Sequence, residues 1–334
     1  MSIQTSQRTA LVIGATGGFG GHVALALHKH GWRIRALSRD PAGARARTGA
    51  RMPVDWVQGD AMDAASVIAA AQGTQLIVHG ANPPMYRNWK GTVRQMLRSS
   101  IAAAKASGAR ILLPASVYNY APDAGSTITE DAAQHPATRK GALRVEMEAE
   151  LKAATDEGVR AIVLRAGDFF GPGVEGGAAL GWLTRRRKGE VIGLYSAGAG
   201  DVGYAMAYLP DLAEAAARLV EAEGLTPYET FHFRGHYLER SDELAASIRR
   251  VTGKPALPVT PFPWALVAAL SPFNETFREL LEMRYLRRRS IGLAGGKLAA
   301  VIGPEPHTPF DAAMAASLAD LAAAETETRV REAA

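Results

Sequence analysis

The 334-residue chain contains no cysteine. That excludes disulfides, thiolate metal sites and a cysteine nucleophile. Long apolar runs are missing too. The longest, around Trp264 to Leu270, falls far short of the roughly 20 residues that a bilayer-spanning helix needs. The opening MSIQTSQRT is polar and lacks the apolar centre of a secretory signal. No aromatic platform interleaves with the basic run Arg185-Arg186-Arg187-Lys188, so this run and Arg284 to Arg289 read as solvated faces rather than a nucleic-acid surface. The histidines show no HExxH spacing, so no helical zinc site, nor any other metal site, is expected. A hydrolase elbow, Gly-x-Ser-x-Gly, is absent, and so is the Gly-Lys-Ser/Thr ending of a nucleoside triphosphatase loop. What remains is a cytoplasmic globular protein that meets a small-molecule substrate, with no nucleic acid and no membrane among its partners. A homodimer is compatible with that reading.

Glycine, in contrast, is placed with regularity. Residues Ala10 to Gly21 read ALVIGATGGFGG. The run Leu11-Val12-Ile13 predicts a buried strand, and His22 to His30, with Val23, Ala24 and Leu27 on one side, predicts an amphipathic helix. Between them Gly14 permits a tight turn, Gly17 lets backbone approach a pyrophosphate, and Gly20 lets the helix pack against the strand. The helix start offers N–H groups and the positive end of its dipole to an anion. Thr16, Gly18 and Phe19 complete the turn and are candidate cofactor contacts.

The second strand, Trp32 to Leu37, ends in Ser38-Arg39-Asp40-Pro41. NAD-binding units carry an acidic residue here to accept from the ribose 2′-OH. A hydroxyl and a guanidinium suit a 2′-phosphate instead, and Asp40 comes late. NADP is therefore the expected cofactor, with NAD as the alternative. A third strand, Pro53 to Gln58, leads to Asp60 and Ala61, contacts on the adenine side, and to Asp63 as a helix cap. Leu76 to His79 is a fourth strand, whose carboxyl end brings Ala81 and Asn82 beside the cofactor. A helix from Trp89 to Ser107, a strand from Arg110 to Leu113, a helix from Thr138 to Asp156 and a strand from Val159 to Leu164 continue the alternation. The implied fold is α/β, a Rossmann doubly wound parallel sheet over residues 1–172, with a smaller C-terminal substrate lobe over 173–334. The boundary is loosely drawn, and some lobe segments return to the core. Strands are expected at Glu190 to Tyr195 and Glu229 to Arg234. Helices are expected at Asp211 to Glu223, Ser241 to Val251, Ala265 to Tyr285 and Asp311 to Thr326.

Several of these residues together resemble the short-chain dehydrogenase/reductase superfamily, in its extended branch of NAD(P)-dependent epimerases, dehydratases and reductases. The resemblance rests on the GATGGFG turn, Gly59-Asp60, Ser116 with Val117-Tyr118, RAGDFFGPG from Arg165 to Gly173, and Tyr208 to Ala213. It implies an NAD(P)-dependent oxidoreductase or epimerase/dehydratase, moving a hydride between nicotinamide C4 and a carbonyl or alcohol carbon of a small polar substrate. The chain departs from the family at its Tyr-x-x-x-Lys, where register places Lys140 and Arg144. The one literal match, Tyr86 to Lys90, lies in the loop after the fourth strand. Lys140, Tyr118 and Tyr86 are thus the candidates for proton transfer. Lys140 is equally a candidate anchor for ribose or phosphate, and Ser116 for hydrogen bonding a substrate oxygen. Arg165 and Asp168 read either as a paired loop or as substrate contacts. Two other functions stay open: a non-catalytic NAD(P)-binding sensor or assembly protein, and a nucleotide-sugar epimerase or dehydratase.

Overall fold

The computed structural model describes residues 7–49, 52–82, 89–174, 178–196, 198 and 200–333. It divides into two compact units. Unit 1 comprises Met1–Ala115, Leu143–Arg165 and Ala213–Phe231, and unit 2 comprises Ser116–Ala142, Ala166–Leu212 and His232–Ala334. Among the described residues no helix is long and apolar enough to cross a membrane.

Strand and helix alternate through the first half: β1 (Thr9–Ile13), α1 (Gly18–Lys29), β2 (Arg33–Ser38), α2 (Pro41–Thr48), β3 (Asp55–Gln58), α3 (Ala64–Ala70), β4 (Leu76–His79), α4 (Trp89–Ser107), β5 (Arg110–Ser116), α5 (Arg139–Ala153) and β6 (Arg160–Ala166). With β11 (Tyr228–His232) they form a seven-stranded sheet in the order β11-β6-β5-β4-β1-β2-β3. The neighbours from β3 through β5 pair in parallel. This is the doubly wound α/β arrangement expected from the alternation. Every residue of β4 is buried, as a parallel strand covered on both faces should be. Ile13 lies opposite both Leu37 and His79, which sets the carboxyl ends of β1, β2 and β4 level.

The core of unit 1 gathers Leu11, Ile13, Ile77, Ile111 and Val163 from the strands. Val93, Leu97 and Ile101 of α4, and Leu143, Met147 and Leu151 of α5, add stripes at four-residue spacing. Each such side chain contributes about 1.5–3 kcal/mol by leaving water. Asp63 caps α3, accepting from the amides of Ala65 and Ser66. Strand β5 runs three residues past its expected end because its last pair with β4 is Leu112. Pro114 lies beyond that pair, so its missing N–H removes no bond to β4.

Unit 2 holds β7 (Asp168–Phe170), α6 (Ala178–Leu183), β8 (Thr184–Arg187), β9 (Glu190–Ser196), β10 (Tyr204–Tyr208), β12 (His236–Leu238), α8 (Asp242–Thr252), β13 (Val259–Pro261), α9 (Trp264–Leu270), α10 (Glu275–Glu282), α11 (Gly296–Ile302) and α12 (Phe310–Ala333). Helix α7 (Leu209–Glu221) lies largely in unit 1. Two three-stranded sheets, β12-β10-β7 and β13-β9-β8, pack around Phe170, Leu194, Met206, Leu244, Ile248 and Met314.

The basic run at Arg185 is a solvated face only in part: Arg187 and Lys188 are exposed, whereas Arg185 and Arg186 are half-buried. It forms β8, antiparallel to β9 across Lys188 and Gly189, both at positive φ, the turn that suits a two-residue hairpin. Arg186 pairs with Glu325 at 3.2 Å, and the Arg185 guanidinium lies 5.6 Å from the centre of the Tyr195 ring.

Candidate functional site

In unit 1 the geometry separates the three glycines of the turn. Gly14 has φ +86°, and a Cβ there would lie 2.6 Å from the Gly80 carbonyl oxygen. A Cβ on Gly20 would lie 2.3 Å from the Gly14 carbonyl oxygen. Both positions therefore require glycine for backbone to pass backbone. Among the described residues nothing would approach a Cβ on Gly17 closer than 3.4 Å. Gly17 is also the N-cap of α1, and neither a side-chain cap nor an acidic first-turn residue occupies that end of the helix. Thr16 and Gly17 are exposed, Gly18 is half-buried, and Phe19 is buried. The Gly80 amide donates to Ile13 at 2.9 Å, which ties the start of the loop bearing Ala81 and Asn82 to the end of β1.

At the end of β2, Ser38 is half-buried and Arg39 exposed. The Asp40 carboxylate accepts from the Gly43 amide at 2.9 Å as the cap of α2, and the Asp40 amide donates to Ser38 Oγ at 3.1 Å. Asp40 is thus committed to its own helix. Gln58 Nε2 donates to the Arg39 carbonyl at 3.0 Å. The Asp60 carboxylate accepts from the Met62 amide at 2.9 Å, with Ala61 half-buried between them. At the end of β4, His79 is fully enclosed and its Nδ1 meets Ser100 Oγ at 2.8 Å. Burial, helped by the charge of Arg144, lowers its pKa to about 4 and keeps the ring neutral.

Ser116, Tyr118 and Lys140 belong to unit 2. Ser116 Oγ accepts from the Tyr118 amide at 3.4 Å, capping the short turn Val117–Asn119. A Cβ on Gly141 would lie 2.2 Å from the Tyr118 carbonyl oxygen, so the first turn of α5 runs directly against this segment. Lys140 is 3% exposed, and its Nζ sits 2.8 Å from Glu279 Oε2 of α10. Burial lowers the lysine pKa, while the hydrogen bond and charge of Glu279 offset part of that shift. Tyr86 lies outside the described residues.

Arg165 and Asp168 are not paired with each other. Arg165 donates to Glu148 inside unit 1, with side chains 1% and 4% exposed. Asp168 accepts from Arg287 inside unit 2. Arg287 belongs to the second basic run, read from sequence as a solvated face. Its side chain is instead 13% exposed, with Cζ 4.7 Å over the Tyr204 ring. Burial pushes the Tyr204 hydroxyl up to about 12. A cavity of about 20 Å³ lies against Arg287, Tyr204, Tyr195, Ser196 and Ser241. Sequence reasoning missed Arg287, Glu279 and Tyr204; Asp168 was noticed, but with Arg165 as its candidate partner.

Solved structures share this architecture across nearly the whole chain. MoeE5 in complex with UDP-glucose and NAD matches with a TM-score of 0.71 at 17% identity, covering 96% of this chain and 99% of that one. UDP-glucuronic acid 4-epimerase from Bacillus cereus, in complex with UDP-glucuronic acid and NAD, matches at 0.74 and 14% identity, covering 94% and 98%. A double mutant of DesIV, the dTDP-glucose 4,6-dehydratase of Streptomyces venezuelae, matches at 0.71 and 18% identity, covering 93% and 96%. At such identities the likeness establishes the fold. No curated protein matches the sequence. Residues 10–232, from β1 to the end of β11, match the model of the NAD dependent epimerase/dehydratase family, and the chain belongs to that family.

Proposed function

We propose that the protein is an NAD(P)-dependent enzyme that moves a hydride between nicotinamide C4 and a carbinol or carbonyl carbon of a small polar substrate, with NADP preferred over NAD. The observation that carries this reading is the division of labour among the three glycines. Gly14 and Gly20 are used up by the protein's own packing, whereas Gly17 opens onto unfilled space at an uncapped helix start. That combination fits a pyrophosphate. Gly14, Thr16, Gly17, Gly18, Phe19 and Gly20 would hold it, Asp60 and Ala61 would flank the adenine, and Ala81 and Asn82 would border the far ribose. The bound cofactor supplies the hydride.

The NADP preference rests on Ser38, Arg39 and Asp40. Asp40 already caps α2, so the carboxylate nearest the place of a 2′-OH acceptor is engaged. Arg39 is exposed at the strand end, and its guanidinium matches a phosphate. In unit 2 we assign Ser116 to hydrogen bonding a substrate oxygen and Tyr118 to proton transfer. Lys140 has its charge already matched by Glu279, which suits an anchoring role better than proton transfer. Tyr86 stays the alternative donor.

Titration with NADPH and NADH tests the reading. An at least tenfold preference for NADPH is expected, which corresponds to about 1.4 kcal/mol. A tenfold preference for NADH would sink the role of Arg39, and failure to bind either would sink the whole reading. Two further functions separate in the same experiments. A sensor binds NADPH and turns nothing over. A nucleotide-sugar epimerase or dehydratase, favoured by relatives solved with UDP-glucose and UDP-glucuronic acid, requires that the lobe accept a diphosphate.

A further inference from the structure

The pairing of Arg287 with Asp168 sets the charge that unit 2 offers to a ligand. Asp168 accepts from Arg287 Nη2. The Tyr204 ring covers the guanidinium, with Cζ 4.7 Å from its centre. The two side chains are 13% and 17% exposed. One donor is left over: Arg287 Nη1 is buried and has no hydrogen-bond partner. The cavity of about 20 Å³ beside it also meets Ser196 and Ser241, and among the described residues Arg287 is the one charged residue that lines it. A space of that size takes one oxygen of a ligand whose remainder lies outside it.

Charge decides which group. A buried guanidinium without a counter-ion would recruit an anion. Here a carboxylate has already neutralised it. A phosphate entering beside Asp168 would bring one or two more negative charges to a guanidinium whose charge is already matched. The repulsion is strong where water is excluded. A hydroxyl or carbonyl oxygen meets no such barrier, and it satisfies an N–H whose burial is otherwise costly. The Ser196 and Ser241 hydroxyls suit a ligand of the same uncharged, oxygen-rich kind.

Building on the hydride-transfer reading above, we propose that Asp168 and Arg287 form a subsite for an uncharged oxygen of the substrate, hydroxyl or carbonyl, and that Asp168 bars phosphate-bearing compounds from it. The substrate class is then a free polyhydroxylated or carbonyl compound rather than a nucleotide-linked one.

Calorimetric titration of the whole protein with UDP-glucose and with inorganic pyrophosphate, under saturating NADPH so that the glycine turn is filled, tests the proposal. The wild type is expected to bind neither probe more tightly than about 1 mM. Asp168→Asn keeps the shape and removes the charge. It is expected to gain at least about tenfold in pyrophosphate affinity, and Arg287→Met in the same background should remove the gain. Tight binding of either probe by the wild type overturns the proposal, and so does an Asp168→Asn protein that gains nothing. Asp168→Ser serves the same purpose if the asparagine variant does not fold. Failure of the parent reading would show separately, as a protein that does not bind NADPH in any variant.

Discussion

The ammonium of Lys140 lies 2.8 Å from a carboxylate oxygen of Glu279, with the lysine side chain 3% exposed. The position where the family resemblance calls for a tyrosine is thus filled by a cation whose counter-ion arrives from α10. Arg139 adds a contact of 3.3 Å to Glu282 in the same helix. Removing one partner of a buried pair leaves an uncompensated charge, which costs more than the pair itself contributes. Lys140→Met should therefore destabilise the protein by about 3 kcal/mol in denaturant unfolding. Adding Glu279→Leu should restore part of the loss, a coupling that a double-mutant cycle measures. Because Lys140 anchors the cofactor in this reading, its replacement should also lower NADPH affinity, by about tenfold.

The three glycines should respond differently to alanine. In Gly20→Ala the new methyl meets a backbone oxygen at 2.3 Å, which cannot rotate away. Stability should fall by about 3 kcal/mol or the protein should fail to accumulate. Gly17→Ala meets nothing nearer than 3.4 Å and should unfold within about 1 kcal/mol of the wild type. Its NADPH affinity should nonetheless drop by about tenfold or more, because the methyl occupies the approach of the pyrophosphate. Thermal unfolding and fluorescence titration of the two variants side by side separate these outcomes.

Arg39→Ala should weaken NADPH binding and leave NADH binding unchanged. A charge-assisted hydrogen bond contributes about 1.5–3 kcal/mol, or roughly ten- to a hundredfold in affinity. The difference between the two cofactors should shrink as salt is raised, since the contact is exposed. Equal losses for both cofactors would assign Arg39 to something other than the 2′ position.

Two histidines should give the stability of unit 1 opposite pH dependences. Burial opposes the charged form of His30, but hydrogen bonds and charges from Glu221 and Glu214 outweigh it and hold its pKa above 6.5. A raised pKa contributes stability that is complete below the unfolded value of 6.5 and drains away as pH rises through the folded value. His79 is the reverse case. Its pKa falls from 6.5 to about 4, so the unfolded chain takes up a proton that the folded one refuses. Its contribution is complete above 6.5 and is lost as pH falls toward 4. Melting curves from about pH 4 to 9 should show His30→Gln flattening the alkaline side and His79→Asn flattening the acidic side.

What was legible in the sequence was local. The glycine turn, the buried β4 and the helix α4 depend on spacing within a few residues, and the observed bounds Leu76–His79 and Trp89–Ser107 are those read from the sequence. What was hidden was pairing at a distance. Arg287 reads as one of six residues in a polar run until Asp168, 119 positions earlier, is found beside it. Strand β8 hides in a run of arginines because its partners Tyr195 and Glu325 come from β9 and α12. Strand β10, Tyr204–Tyr208, is buried at every position, and a five-residue apolar stretch carries no period by which to recognise it. Ser116 and Tyr118 were found through the family resemblance, and the turn that Ser116 caps became visible only in three dimensions.

The chain passes between the two units at residues 115/116, 142/143, 165/166, 212/213 and 231/232. Phe231 is the last residue of unit 1, so that unit cannot be complete until the chain has been synthesised through Phe231. Nascent chains stopped before Tyr228 lack β11, and a fragment that begins after Phe231 lacks Asp168 and strands β7 to β10. No single cut separates the two units, which makes the protein a poor source of detachable modules and ties the completion of unit 1 to the synthesis of much of unit 2.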